Sequence, residues 1–353
     1  MSRFAFLMMF AFVLAGHAGA QQQTQTAQPP LLGCGKHEGL EIFCGTRSPE
    51  DLELTPDNKF LLLGQFIRNS PDSGMALFDL VQKTFTRITP TSEPRKDWGD
   101  PSCPGPVGDR LVPHGISLAK RTNGSMELYV VNHGGRESIE MFELKSSGGA
   151  WGLVWHGCVV SASGYNDVAV MPDGSFVATL PLALVPPGKN AADWGDQPSG
   201  YVGRWTPGKG SEELPDTRVA YPNGVLVSAD GRYMYFNAFR AREVHKYDLS
   251  QRKDIGKVKV DFMPDNITWT KKHEMLAAGI KGNRGECPEG SRVPCSQMFG
   301  VARINPAKMT ATVVYDSQGK PASIAGVSSA LEVGNSIYLG AFSGDRIVKL
   351  DLN

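Results

Sequence analysis

The chain has 353 residues, with 36 Lys and Arg against 36 Asp and Glu. A net charge of zero argues against nucleic acid as the main partner and against a polybasic membrane-binding face. The 40 Gly and 24 Pro, with no sustained helical period, point to many short strands and turns.

The N-terminus begins with Ser2 and Arg3, then an apolar run from Phe4 to Gly16, then Ala18-Gly19-Ala20. A charged start, a short apolar stretch and small residues at a cleavage point read as a signal peptide over residues 1–20. The run is too short for a comfortable membrane span, so none is expected after cleavage. Residues 21–33 are rich in Gln, Thr and Pro and read as a disordered lead-in. No linker-like break follows, so residues 34–353 read as one domain. The six cysteines of an exported chain suggest disulfides in a secreted or periplasmic protein. Cys287 and Cys295 flank a short loop and are expected to bridge; of the fifteen connectivities open to six cysteines, the one that also joins Cys34 to Cys44 and Cys103 to Cys158 is a candidate among others. The spacings lack a paired CxxC and a His cluster, which argues against zinc.

Six segments then recur about fifty residues apart, each with a polar head on an apolar run. They begin at Glu50 (EDLEL), His114 (HGISL), Asn166 (NDVAV), Asn223 (NGVLV), Asp265 (DNITW) and Gly326 (GVSSAL). Such a repeat of strands predicts an all-β chain, a six-bladed β-propeller with four-stranded blades. Most heads run into a hairpin. Asp57-Asn58, Asn123-Gly124, Asp173-Gly174, Asp230-Gly231 and Gly334-Asn335 stand between two apolar strands, as tight turns require. Third strands of alternating polarity end near Leu80, Leu144, Leu249 and Leu352. The stretch from Pro181 to Gly200 reads as the longest loop and a candidate wall or lid for a site.

The inner strands of a propeller face one channel, so the polar heads converge on one axis. Neighbouring side chains in a strand point opposite ways, which separates the heads into two depths. One set is Glu50, Asn166, Asn223, Asp265 and Asn266. The deeper set is Asp51, Asp167 and a backbone carbonyl, that of Ile116. Mixed carboxylate and amide oxygens suit Ca²⁺, so two calcium ions are expected in the channel. His114 heads the second repeat and His133 ends its next strand. A strand's start lies beside the end of its hairpin partner, so the two imidazoles are expected together at the ion end, able to move a proton from water.

PEDLEL at 49–54, PHGISL at 113–118, VVNH at 130–133, ND at 166–167, PNGVLVSADGRYMY at 222–235 and DNI at 265–267 resemble the serum paraoxonase/arylesterase family. More broadly they resemble the gluconolactonase and senescence-marker-protein group of six-bladed propellers. The resemblance implies a catalytic calcium on Glu50, Asn166, Asn223, Asp265 and Asn266, and a structural calcium on Asp51, Asp167 and the Ile116 carbonyl. It implies a His114–His133 dyad, Tyr221 as an aromatic wall of the substrate site, and hydrolysis of lactones and aryl esters. The chain departs from that family in lacking a cysteine near its C-terminus. Ring closure is therefore expected to rest on strand pairing, with the N-terminal segment completing the last blade. The loop at 181–200 also lacks the hydrophobic pattern of the lipoprotein-bound relatives.

The expected reaction is attack of water on a small lactone or ester. His114 is the base, with Asp265 or Glu50 as alternatives in the role of base or nucleophile. The absence of GxSxG argues against a nucleophile-elbow serine hydrolase. Two rival readings keep the fold: a strictosidine-synthase-like enzyme, and a non-catalytic calcium-stabilised binding propeller.

Overall fold

The computed structural model describes residues 31–189, 194–282 and 297–351. The expected signal peptide and the Cys287–Cys295 bridge lie outside them. Six sheets follow one another along the chain, antiparallel except where a short outer strand joins blade 2 in parallel. Their inner strands are Pro49–Leu54, Pro113–Lys120, Val168–Val170, Pro222–Val227, Met263–Trp269 and Val327–Val333, which open blades 1 to 6. The protein is a six-bladed β-propeller with four-stranded blades. Blade 2 carries a further outer strand at Thr91–Ser92. A 3-10 turn, Gly108–Arg110, precedes the inner strand of blade 2.

Burial follows position in the blade. The second strands Phe176–Leu180 and Met275–Ile280 are buried at every residue, because neighbouring blades cover both faces. The fourth strand Lys253–Lys259 alternates exposed and half-buried residues, as an outer strand wetted on one side should. The hairpin turns adopt the left-handed backbone that the Asn and Gly positions require, with φ of 57° at Asn58 and 81° at Gly174.

The ring closes through its N-terminus. Leu40–Cys44 pairs with Arg346–Asp351 and supplies the fourth strand of blade 6, and Gly35–His37 adds to its edge. The Cys34–Cys44 disulfide ties that edge. Residues 31–33, which the composition assigns to the lead-in, are held in place. The N–H of Leu32 donates to the Ala322 carbonyl, and the Leu32 carbonyl accepts from Arg346. A second disulfide, Cys103–Cys158, fastens the segment before blade 2 onto that blade.

Every blade-to-blade step around the channel carries a hydrogen bond between inner strands. From blade 1 to 2, Ile116 N–H donates to Asp51. From 2 to 3, Val170 N–H donates to Ser117 Oγ. From 3 to 4, Val225 N–H donates to Asp167. From 4 to 5, Trp269 Nε1 donates to the Val227 carbonyl. From 5 to 6, Thr268 Oγ1 donates to the Ala330 carbonyl, and from 6 to 1 Ser328 Oγ donates to the Glu50 carbonyl. Small residues allow this approach. A Cβ on Gly115 would lie 2.3 Å from Asp167 Oδ1, and one on Gly224 would lie 2.5 Å from the Asp265 carbonyl oxygen.

Candidate active site

The inner strands start at one face of the ring, where the second strands end. The register slips at the heads, between Pro49 and Asp51, Pro113 and Ile116, Pro222 and Val225, and Pro264 and Ile267. In blade 3 both Asn166 N–H and the Asp167 carbonyl pair with Thr179, so two residues oppose one there as well. These are β-bulges, which re-aim side chains that strict alternation would send to opposite faces. They bring adjacent head residues to the channel at two depths.

The outer layer holds Glu50, Asn166, Asn223, Asp265 and Asn266, each at most 2% exposed. Asn266 Nδ2 donates to Glu50 Oε1 at 3.0 Å. Yet Glu50 Oε2, Asn166 Oδ1, Asn223 Oδ1 and Asn266 Oδ1 are buried with no hydrogen-bond partner. Buried polar atoms are normally paired, and each orphan costs about 1–3 kcal/mol. Four such oxygens from blades 1, 3, 4 and 5, beside the Asp265 carboxylate, fit a hard cation with oxygen ligands. Among the described residues no three His, Cys, Asp or Glu side chains gather as a metal group. Here the amides separate the carboxylates. Burial raises the Glu50 carboxyl well above the ordinary range, with Asp265, Asp51 and Asp167 adding in that order.

The inner layer is built differently. Asp51 accepts Leu52 N–H at 2.8 Å and Ile116 N–H at 2.9 Å, one on each oxygen. Asp167 accepts Val168 N–H and Val225 N–H in the same manner, both at 2.7 Å. Burial still dominates, raising Asp51 to about 7 against these two hydrogen bonds. Asp167 is raised by burial and then by Asp51. Two residues further down, Glu53 accepts Leu118 N–H at 3.0 Å, and burial lifts it to about 8. Asp51, Asp167, Glu53 and Ile116 line a cavity of about 710 Å³ that continues toward the opposite mouth.

The two histidines meet at the outer layer. His114 Nδ1 lies 2.9 Å from His133 Nε2, and His114 Nε2 lies 3.7 Å from Glu50 Oε1. Phe66 stacks on the His114 ring, centroids 4.2 Å apart and planes 3° from parallel. Glu137 meets His133 Nδ1 from the far side at 2.5 Å. Tyr221 stands one residue before the blade 4 strand with φ of 61°, a strained value for a bulky residue. Its N–H donates to Ser199 Oγ, and its ring packs on Phe239 at 5.6 Å. Ser199 Oγ also donates to the Pro181 carbonyl, so the ends of the 181–200 loop are closed behind this wall.

Chain comparisons bear on this geometry. The SMP-30/Gluconolactonase/LRE-like region matches residues 70–324. The chain belongs to this family. A gluconolactonase from Xanthomonas campestris is similar in structure with a TM-score of 0.53 at 13% identity, over 93% of this chain and 96% of that one. The luciferin-regenerating enzyme gives a TM-score of 0.51 at 13% identity, over 88% and 94%. A search of the curated proteins found no match. At these identities the two structures speak to the fold that the SMP-30/gluconolactonase family shares.

Phe66, Glu137, Asn237 and Glu53 were not among the residues singled out from the sequence of this SMP-30/gluconolactonase propeller. Phe66 and Asn237 stand at or just beyond second-strand ends, and Asn237 Nδ2 donates to the Asp265 carbonyl at 2.6 Å. The hairpin rule that pairs His133 with His114 applies equally to both. Glu53 is two places past Asp51 on one strand face, which the alternation also marks. Glu137 sits in a turn and carries no such signal.

Proposed function

We propose that this protein is a calcium-dependent hydrolase of lactones and aryl esters. The carrying observation is the set of orphaned buried oxygens in the channel mouth with a histidine pair beside them. Family membership and the likeness to a gluconolactonase support a lactonase-like reaction. Glu50, Asn166, Asn223, Asp265 and Asn266 would hold one ion, and Asp51, Asp167 and the Ile116 carbonyl a second. A calcium ion at the outer layer would supply Lewis-acid polarisation of the substrate carbonyl.

The chain's own residues do the proton work. In its unprotonated form, Nε2 of His114 takes a proton from water as the water oxygen bonds to the carbonyl carbon. The ring or ester C–O bond then breaks, and the same nitrogen returns the proton to the leaving oxygen. His133 holds the imidazole in place, Phe66 keeps its plane fixed, and Tyr221 forms the apolar wall for the acyl or aryl part. A lactone yields a hydroxy acid, and an aryl ester a carboxylic acid and a phenol. The two disulfides are consistent with a protein that works outside the cytoplasm, as the sequence-based expectation of export has it. Among the described residues no helix is long and apolar enough to cross a membrane.

The test is hydrolysis of a δ-lactone and of phenyl acetate with and without chelator. Activity that disappears with EDTA and returns with calcium supports the proposal. Folded protein that leaves both substrates at the background rate would favour a binding propeller instead.

A further inference from the structure

Glu137 lies outside both oxygen layers, yet it terminates a continuous chain of contacts that reaches the channel. From outside inward the chain is Glu137 Oε2, His133 Nδ1 at 2.5 Å, His133 Nε2, His114 Nδ1 at 2.9 Å, and His114 Nε2, which faces Glu50 Oε1 at 3.7 Å. A turn builds the outer end. Gly135 has φ of 74°, and a Cβ on Gly134 would collide with the Arg110 carbonyl oxygen. The turn brings Glu137 back against the ring four residues earlier. Strand Ser138–Ser147 begins at the next residue, and the Glu137 carbonyl accepts from Ser161 N–H. The adjacent Arg136 is engaged by Glu140 and by the Gly105 carbonyl.

The roles along this chain follow from donor and acceptor chemistry. An ionised carboxylate only accepts, so His133 Nδ1 carries a proton. A neutral imidazole has one N–H, so His133 Nε2 is then an acceptor. His114 Nδ1 must therefore donate to it, and a neutral His114 then keeps its lone pair on Nε2. We infer that Glu137 is a positioning residue for the dyad: through His133 it fixes the His114 tautomer, so that the nitrogen facing the channel is the one able to accept a proton. This rests on the hydrolase reading above for its catalytic meaning, while the tautomers themselves do not depend on it. With no acceptor at 137, the opposite pair of tautomers becomes available, and His114 then presents an N–H to the channel and cannot serve as base.

The experiment uses the full mature protein with bound calcium, labelled with ¹⁵N at histidine. Long-range ¹H–¹⁵N correlations read each ring's tautomer. In the neutral dyad, wild type is expected to show His133 and His114 both protonated at Nδ1 and unprotonated at Nε2. In Glu137→Leu, signal from His114 protonated at Nε2 is expected to appear. Glu137→Gln keeps an oxygen acceptor and is expected to retain the wild-type pattern. Wild-type protein with a proton on His114 Nε2, or tautomers unchanged in Glu137→Leu, would overturn the inference.

Kinetics with phenyl acetate give the second readout. Glu137→Leu is expected to lose about 10- to 100-fold in kcat with KM changed less than about threefold, and Glu137→Gln to recover most of that loss. The Glu137 side chain is 32% exposed, so both variants are expected to keep the wild-type melting temperature. His114→Gln separates the two claims. If it abolishes hydrolysis while Glu137→Leu keeps wild-type kcat, the positioning role fails and the hydrolase reading stands. If His114→Gln is fully active, the dyad leaves the mechanism, and the tautomer result alone decides Glu137.

Discussion

The two layers of the channel use the same kinds of residue and treat them in opposite ways. In the inner layer each oxygen of Asp51 and Asp167 already holds a backbone N–H, one from its own blade and one from the next. These carboxylates are part of the scaffold as well as candidate ligands. In the outer layer Glu50 Oε2 and the amide oxygens of Asn166, Asn223 and Asn266 have no such partners. The protein leaves them incomplete at the face where His114, Phe66 and Tyr221 stand. Unsatisfied polar groups cost folding energy and persist where a ligand completes them. On the proposed function, the deeper site would serve stability and the outer one chemistry.

The largest expected effect breaks the outer layer's chemistry without its ligands. His114→Gln should lower kcat/KM for a lactone by about 10²- to 10⁴-fold, the usual worth of a positioned general base. Calcium affinity by titration calorimetry should stay near wild type. An equal loss of calcium affinity would mean that His114 holds the ion site together rather than acting on substrate.

Next, the layers should separate by thermal unfolding. Asp51→Asn turns one oxygen that accepts a backbone N–H into a donor, stranding the N–H of Leu52 or Ile116. It should destabilise by about 1–3 kcal/mol already in chelator, where no ion contributes. Asn223→Ala removes an amide whose oxygen and nitrogen are both unpartnered. In chelator it should be as stable as wild type or more so, and with calcium it should lose the stabilisation that wild type gains. At a hundredfold excess over its dissociation constant a bound ion is worth about 2.7 kcal/mol. Matching behaviour of the two variants would erase the distinction between the layers.

The pH response sharpens the same point. Buried without a countercharge, Glu50, Asp51 and Asp167 bind protons more tightly than exposed carboxylates, Asp51 with a value of about 7. A raised carboxyl contributes stability that is present below its unfolded value and is lost as pH rises through the folded one. The chelated protein should therefore weaken as pH rises from about 4 to about 7, whereas calcium should flatten that slope. Melting temperatures across that range, with and without EDTA, measure both.

The smallest effect concerns the wall. Tyr221→Ala should raise KM for phenyl acetate about tenfold or less with kcat little changed, since it removes apolar contact and leaves the reacting groups untouched. A kcat loss as large as that of His114→Gln would move Tyr221 into the chemistry.

Much of this was legible in the sequence because a propeller writes one rule six times. The repeating polar heads located the inner strands, and Asn58, Gly124, Gly174, Gly231 and Gly334 gave away the turns through their backbone requirement. Alternation alone misdescribes the heads. The bulges at Pro49 to Asp51 and Pro264 to Ile267 set the depths of Glu50, Asp51, Asp265 and Asn266, and a bulge has no dependable sequence mark. Phe66 and Asn237 were within reach of the hairpin rule. Glu137 was not, because its contact depends on a glycine turn folding back by a few ångströms. The hold on Leu32 by Ala322 and Arg346 was equally hidden, since that segment's composition reads as unstructured.

The central claim is that side chains from four blades share a divalent cation in the channel mouth. Diffraction from crystals grown with calcium, with anomalous data to identify the ion, tests it directly. The account predicts a peak bonded to Glu50 Oε2 and to the side-chain oxygens of Asn166, Asn223 and Asn266, and a second peak near Asp51 and Asp167. Water or protein donors on those four outer oxygens, with no anomalous peak among them at saturating calcium, would contradict it.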